Sequence, residues 1–194
     1  SLLSRKTKVI HRLTSRYSPH SGLLCVLQPI TMASSSFRTP PCTCNTYDVF
    51  ISFRGEDTRT RFKDHLYKAL KDKSIRVFRD DSDLERGKTI WEELVKVIKT
   101  SRIAVIVFSK NYANSRWCLD ELVVIMDCKS STTRCKCNQT LEVVPIFYEV
   151  SSSDVREQKG NFAEVPPNFS EDTVKKWRKA LTDCTFVGLP FGKR

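Results

Sequence analysis

Ile103-Ala104-Val105-Ile106-Val107-Phe108 runs for six apolar residues without a polar break, and four of the six are β-branched. A strand that alternates apolar and polar residues covers one face. An unbroken run needs cover on both, which is the condition of a strand inside a parallel sheet. Asp48-Val49-Phe50-Ile51-Ser52-Phe53 reads the same way upstream. Ser74-Ile75-Arg76-Val77-Phe78 is a shorter strand between them. Val143-Val144-Pro145-Ile146-Phe147-Tyr148 is a fourth, in which Pro145 cannot donate to a ladder. Between strands the apolar spacing turns helical: Phe62, Leu66 and Leu70, then Ile90, Leu94, Val97 and Ile98. Residues Trp117 to Cys128 follow, with Leu119, Leu122, Val123 and Met126 on one side. Residues 151–169 read as loop, with Pro166-Pro167 barring a regular helix. Val174, Trp177 and Leu181 mark a last helix, and Thr185-Phe186-Val187-Gly188 a short fifth strand.

Strands alternating with helices imply right-handed βαβ units. The expected class is α/β: a flavodoxin-like five-stranded parallel sheet, order 2-1-3-4-5, with helices on both faces. In that order a crevice opens between the first and third strands at their carboxyl ends. Those ends are Phe53-Arg54-Gly55 and Phe108-Ser109, so topology alone points to where a ligand would sit.

The 194 residues suffice for one domain with a real core. No apolar run approaches the ~20 residues that span a bilayer, so no membrane partner is expected. The formal charge of +11 is uneven: Arg5, Lys6, Lys8, Arg12, Arg16 and Arg38 lie in residues 1–46, which contain no Asp or Glu. That basic, Ser/Thr-rich leader reads as a flexible tail, an organelle transit segment, or a stretch preceding a natural start at Met32. The expected folded domain is 47–188, with 189–194 as a tail. The eight cysteines read as free thiols of a reducing compartment. Cys42-x-Cys44 and Cys135-x-Cys137 lack the usual spacing of a zinc site, and no metal is expected.

Three segments should meet at the crevice. In Arg54-Gly55-Glu56-Asp57 the glycine lets a ligand approach the backbone and the arginine suits a diphosphate. The plainer alternative is a strand-to-helix turn. Asp80-Asp81 through Gly87 forms either a second wall or a solvated loop. Trp117 and Glu121 are four apart and share a helix face, which could stack a ring and set an acid against a sugar. On spacing alone, a half-buried Trp beside a solvated Glu is the commoner arrangement.

A resemblance shifts that balance. Tyr47-Asp48-Val49-Phe50-Ile51-Ser52-Phe53-Arg54-Gly55-Glu56-Asp57-Thr58-Arg59 resembles the opening of a plant Toll/interleukin receptor (TIR) domain. Val77-Phe78-Arg79-Asp80-Asp81, Leu84-Glu85-Arg86-Gly87, Val107-Phe108-Ser109, Tyr112-Ala113 and Ser115-Arg116-Trp117-Cys118-Leu119-Asp120-Glu121-Leu122 continue it in order. Pro145-Ile146-Phe147-Tyr148, Asp154-Val155-Arg156 and Trp177-Arg178-Lys179-Ala180-Leu181 extend it to about residue 188. The resemblance implies a TIR-only or truncated member of the intracellular immune receptor family. It implies an NAD+ hydrolase of defence signalling, cutting the nicotinamide–ribose bond to give ADP-ribose or cyclic products, and active on self-association. NAD+ is then substrate, and no cofactor is needed. The family's catalytic glutamate corresponds to Glu121 and its stacking tryptophan to Trp117. The family's loop after the first strand corresponds to Arg54-Gly55 and the loop that gates its site to Asp80 through Gly87, so Arg54, Gly55, Asp80 and Asp81, with Ser109 at the third strand's end, are the expected substrate-binding residues. The family's Ser-His self-association pair appears as Asp64-His65. The family's Gly before the second strand's Ile is replaced by Ser74, and its Pro after the fourth strand is replaced within Ser151-Ser152-Ser153.

Other functions compete. A non-catalytic adaptor that binds other TIR domains fits the change at Asp64. A nucleic-acid-dependent nucleotide synthetase is permitted by the basic balance. A phosphoacceptor receiver of the same fold would need aspartate where Ser109 stands. The expected compartment is the cytoplasm, with chloroplast or nucleus as alternatives.

Overall fold

The computed structural model describes residues 47–58, 62–79, 88–131 and 140–187. The leader 1–46, the C-terminal tail, Asp80, Asp81 and the rest of the 80–87 loop, and the cysteines at 42, 44, 135 and 137 lie outside them. The strands are β1 (Val49–Phe53), β2 (Val77–Arg79), β3 (Ile103–Phe108) and β4 (Glu142–Phe147). The helices are α1 (Phe62–Lys71), α2 (Lys88–Thr100), α3 (Arg116–Ser130), α4 (Ser152–Glu157) and α5 (Glu171–Thr185). Single 3-10 turns occupy Tyr112–Asn114 and Gly160–Phe162.

The sheet is parallel throughout, in the order β2-β1-β3-β4. β3 lies in the middle and every one of its residues is buried, as the unbroken apolar run requires. Alternate residues feed two separate cores. Phe50, Ala104, Ile106, Phe108, Val143 and Phe147 meet the buried faces of α2, α3 and α5. Val49, Ile51, Phe53, Val105, Val107 and Ile146 meet Phe62, Leu66 and Leu70 of α1. Pro145 sits in β4 opposite Ile106. Among the described residues β4 is an edge strand, so the missing N–H removes no ladder bond.

Three expectations are corrected. The fifth strand expected at Thr185–Gly188 is absent from the described residues: Thr185 ends α5 and Phe186 and Val187 form a turn. The helical stripe Trp177, Ala180, Leu181, Cys184 continues to the end of α5, and Thr185 Oγ1 donates to the Thr182 carbonyl at 2.8 Å. Helical burial thus outweighs the local β-propensity. Within 151–169, the Ser151 hydroxyl caps α4 by accepting from the Asp154 amide at 3.1 Å. Ile90, expected on the buried face of α2, is 48% exposed, and Trp91, Leu94 and Ile98 carry that face instead.

Ser74 sits where its replacement of glycine is felt. The Ile75 amide bonds the Leu70 carbonyl at 3.2 Å and the Ser74 amide bonds the Lys71 carbonyl at 2.8 Å. This is a Schellman closure of α1, with buried Leu70 and Ile75 as its apolar contact. Ser74 occupies the left-handed position with φ of 56°, which costs a residue with a Cβ about 1–2 kcal/mol. Ser74→Gly should raise stability by about 0.5–1 kcal/mol after the glycine's greater unfolded-state entropy is subtracted. Thermal melting should show a gain of about 2–4 °C. A loss of stability would show that the serine is not strained.

Candidate active site

The carboxyl end of the sheet is stitched across its two central strands by one carboxylate. Asp57, in the turn after β1, accepts from Ser109 Oγ at 2.7 Å, from the Asn111 amide at 2.6 Å and from Asn111 Nδ2 at 2.9 Å. Arg54 Nε stands 3.9 Å from Oδ1, the oxygen that also takes Asn111 Nδ2. Burial pulls the Asp57 carboxyl upward, but the bonds from Asn111 and Ser109 and the charge of Arg54 outweigh it. Its pKa therefore lies below the ordinary carboxylate value and it stays ionised. The Thr58 hydroxyl closes the same turn on the Arg54 carbonyl at 2.9 Å.

Arg54 is a partly exposed guanidinium held from three sides. Nη1 donates to the Asn111 carbonyl at 3.3 Å and Nη2 to Glu56 at 2.8 Å, besides the Asp57 pairing. The Glu56 side chain is 58% exposed, so that bond is a surface ion pair worth at most about 1 kcal/mol. A bond that weak can be given up to another anion. Gly55 lies partly exposed in the same turn. Ser109 is fully buried and its hydroxyl is engaged by Asp57, so it shapes the loop from beneath.

The third segment reaches this edge through the start of α3. Ser115 caps the helix, its hydroxyl accepting from the Cys118 amide at 3.4 Å. The Cys118 thiol reaches the carbonyl of Phe53, the last residue of β1, at 3.6 Å. The Tyr112 hydroxyl bonds the Cys118 carbonyl at 3.0 Å and Ser52 Oγ, also in β1, at 3.0 Å. The first turn of α3 is thereby fastened to the end of β1. Trp117, in that turn, and Glu121, one turn further on, have different surroundings. The indole is half-buried and packs on Trp91 of α2, ring centres 5.3 Å apart and tilted by 53°. Glu121 is only 3% exposed and close enough to Tyr112 for its charge to act on the phenol. The shared helix face thus presents an aromatic rim above a covered carboxylate.

Asp64 and His65 lie elsewhere, exposed on α1. Among the described residues no three His, Cys, Asp or Glu side chains gather as metal ligands would, and no helix is long and apolar enough to cross a membrane. Asn111, Ser52, Tyr112 and Trp91 do not stand out as site residues in the sequence, and Asp57 enters there only as the end of the Arg54-Gly55-Glu56-Asp57 turn. Ser52 carries a signal all the same: a hydroxyl inside an apolar strand must find a partner once buried.

Residues 46–191 match the family model for the TIR domain. The chain belongs to the TIR domain family. This TIR domain is 54% identical over 157 residues to Disease resistance protein RPV1 of Vitis rotundifolia, covering 78% of this chain and 11% of that protein. It is 53% identical over 145 residues to TMV resistance protein N of Nicotiana glutinosa, covering 72% of this chain and 12% of that one. It therefore spans about a tenth of the length of those relatives. In structure it is similar to the TIR domains of the activated Roq1 resistosome directly recognizing the pathogen effector XopQ. The TM-score is 0.62 and the identity 48%, over 73% of this chain and 85% of the other.

Proposed function

We propose that this TIR domain hydrolyses NAD+ at the nicotinamide–ribose bond as part of plant defence signalling, and does so in self-associated form. The observation that carries the reading is the start of α3, where Trp117 and Glu121 are fastened by Cys118 and Tyr112 to the carboxyl end of β1. Nicotinamide is bound to ribose as a cation and leaves as a neutral ring, so its departure needs no general acid. The sugar develops positive charge, as in other glycosidic cleavages. Glu121 acts as an anion facing that charge, and its burial in a poorly solvated environment strengthens the effect. Trp117 supplies a face for a planar ring, and Arg54 offsets the diphosphate.

The 3% exposure of Glu121 sets a condition. Ribose reaches the carboxylate only when its cover is displaced, which fits an enzyme that turns over in an assembly rather than as a free domain. The test is the purified chain with NAD+, at high protein concentration or with a crowding agent, read as nicotinamide released. Release above the level of a Glu121→Ala variant is expected. Equal release from the two would end the proposal.

The same burial, together with the exposure of Asp64 and His65 on α1, favours a second reading. On it the domain is a non-catalytic adaptor that binds other TIR domains. Co-sedimentation or light scattering that shows association without nicotinamide release would select it.

A further inference from the structure

Among the described residues, the sheet face beneath α3 is apolar except at Ser52. Phe50, Ala104, Ile106 and Phe108 line it, and Ser52, two residues on from Phe50, is fully buried among them. A hydroxyl so placed needs a partner. It finds the Tyr112 hydroxyl, 60 residues away in sequence and also fully buried. A phenol has one proton, and Tyr112 donates it to the Cys118 carbonyl. Ser52 must therefore be the donor to Tyr112. The result is a directed chain from β1 through the 3-10 turn into the first turn of α3, ending three residues before Glu121. The phenyl ring is held separately, edge-on to Phe108 with centres 5.0 Å apart and planes at 71°.

We propose that Tyr112 is a positioning residue: its hydroxyl, oriented by Ser52, fixes the first turn of α3 and so sets where the Glu121 carboxylate stands. The inference rests on the reading of Glu121 as the reacting carboxylate. Burial, helped by the neighbouring Cys118 and Glu121, pushes the Tyr112 pKa well above its ordinary value, although the bond from Ser52 pulls the other way. The hydroxyl keeps its proton through the neutral range, and the chain of bonds persists with it. Displacing a reacting group by a fraction of an ångström suffices to slow a reaction whose rate depends on near-attack geometry. The role is thus one of placement. No bond to substrate is asked of Tyr112.

The test is Tyr112→Phe in the full chain, because the ring and its packing on Phe108 are retained while the hydroxyl is lost. Two readouts are taken. The first is kcat and KM for nicotinamide release. The second is the side-chain carboxyl 13C resonance of Glu121, assigned by its disappearance in Glu121→Gln. The resonance should move, and kcat should fall about 10-fold or more with KM changed less than about two-fold. Ser52→Ala should act in the same direction. The double variant should be no worse than Tyr112→Phe alone, since both changes break one chain of bonds. An unmoved Glu121 resonance overturns the inference whatever the activity. So does a moved resonance with unchanged kcat. Should the parent chain release no more nicotinamide than Glu121→Ala, the hydrolase reading fails, and the resonance still decides whether Tyr112 places the carboxylate. Should Tyr112→Phe fail to fold, Ser52→Ala with the same two readouts decides the matter.

Discussion

Glu121→Gln should slow nicotinamide release by about 10²-fold or more, with KM for NAD+ within a few-fold of the parent. Glutamine keeps the length of the side chain and one carbonyl acceptor, so the substitution removes charge with little change of shape. If the carboxylate acts by facing the positive charge that grows on the ribose, its effect exists in the transition state and is small in the bound substrate. Such a change lowers kcat and leaves KM. The magnitude follows from the environment. A carboxylate only 3% exposed faces little competing water, and removing one preorganised electrostatic group from such a site costs about 3–4 kcal/mol of barrier. Melting temperature should stay within a few degrees of the parent, because the desolvation penalty of a buried charge is relieved as its interactions are weakened. A variant that retains more than about a third of the parent rate would mean that the charge of Glu121 does not act on the reaction. A large rise in KM at unchanged kcat would reassign it to binding.

Topology alone locates Arg54-Gly55 and Ser109, because the carboxyl ends of the first and third strands must adjoin in a 2-1-3 order. β3 is legible to the residue, since six consecutive apolar side chains leave no other register. What the amino-acid pattern hides depends on partners distant in sequence. Asp57 looks like one more polar turn residue until the chain returns 52 residues later to present Ser109 to it. Tyr112 looks like core until its hydroxyl is seen between Ser52 and Cys118. The spacing of Trp117 and Glu121 puts them on one helix face, but spacing carries no information about depth. That the indole meets Trp91 while the carboxylate lies covered follows from how closely α3 is drawn down onto β1. The misreading at Thr185–Gly188 has the opposite origin. Those residues favour a strand locally, and the buried stripe of α5 prevails through contacts that local propensity ignores. α4 is short and buries only Val155, so it leaves no periodic trace in the sequence.

The largest loss of stability should come from Trp177→Ala. Trp177 is among the largest of the fully buried side chains, at 1% exposure, and it joins α5 to the same helix that carries Glu121. Its ring meets Phe169 edge-on with centres 5.0 Å apart, and Nε1 donates to Asp120 Oδ1 at 2.8 Å. Truncation would remove the transfer energy of an indole and leave a cavity between α3 and α5 that a packed core closes only in part. The expected cost is about 3–5 kcal/mol, a large share of the roughly 5–15 kcal/mol typical of a domain. Melting should fall by on the order of 10 °C. Trp177→Phe separates the two contributions. Phenylalanine keeps much of the volume and loses the hydrogen bond. Asp120 retains Arg116 at 3.2 Å, and its side chain is 26% exposed, so water can replace the lost donor. The cost should therefore be only about 1–2 kcal/mol. Urea unfolding of both variants checks the ordering. Equal losses would show that the bond to Asp120, rather than the bulk of the ring, holds α5 against α3. A loss below about 1.5 kcal/mol for the alanine variant would mean that α5 is not part of the cooperative core and that α3 is braced from β1 alone.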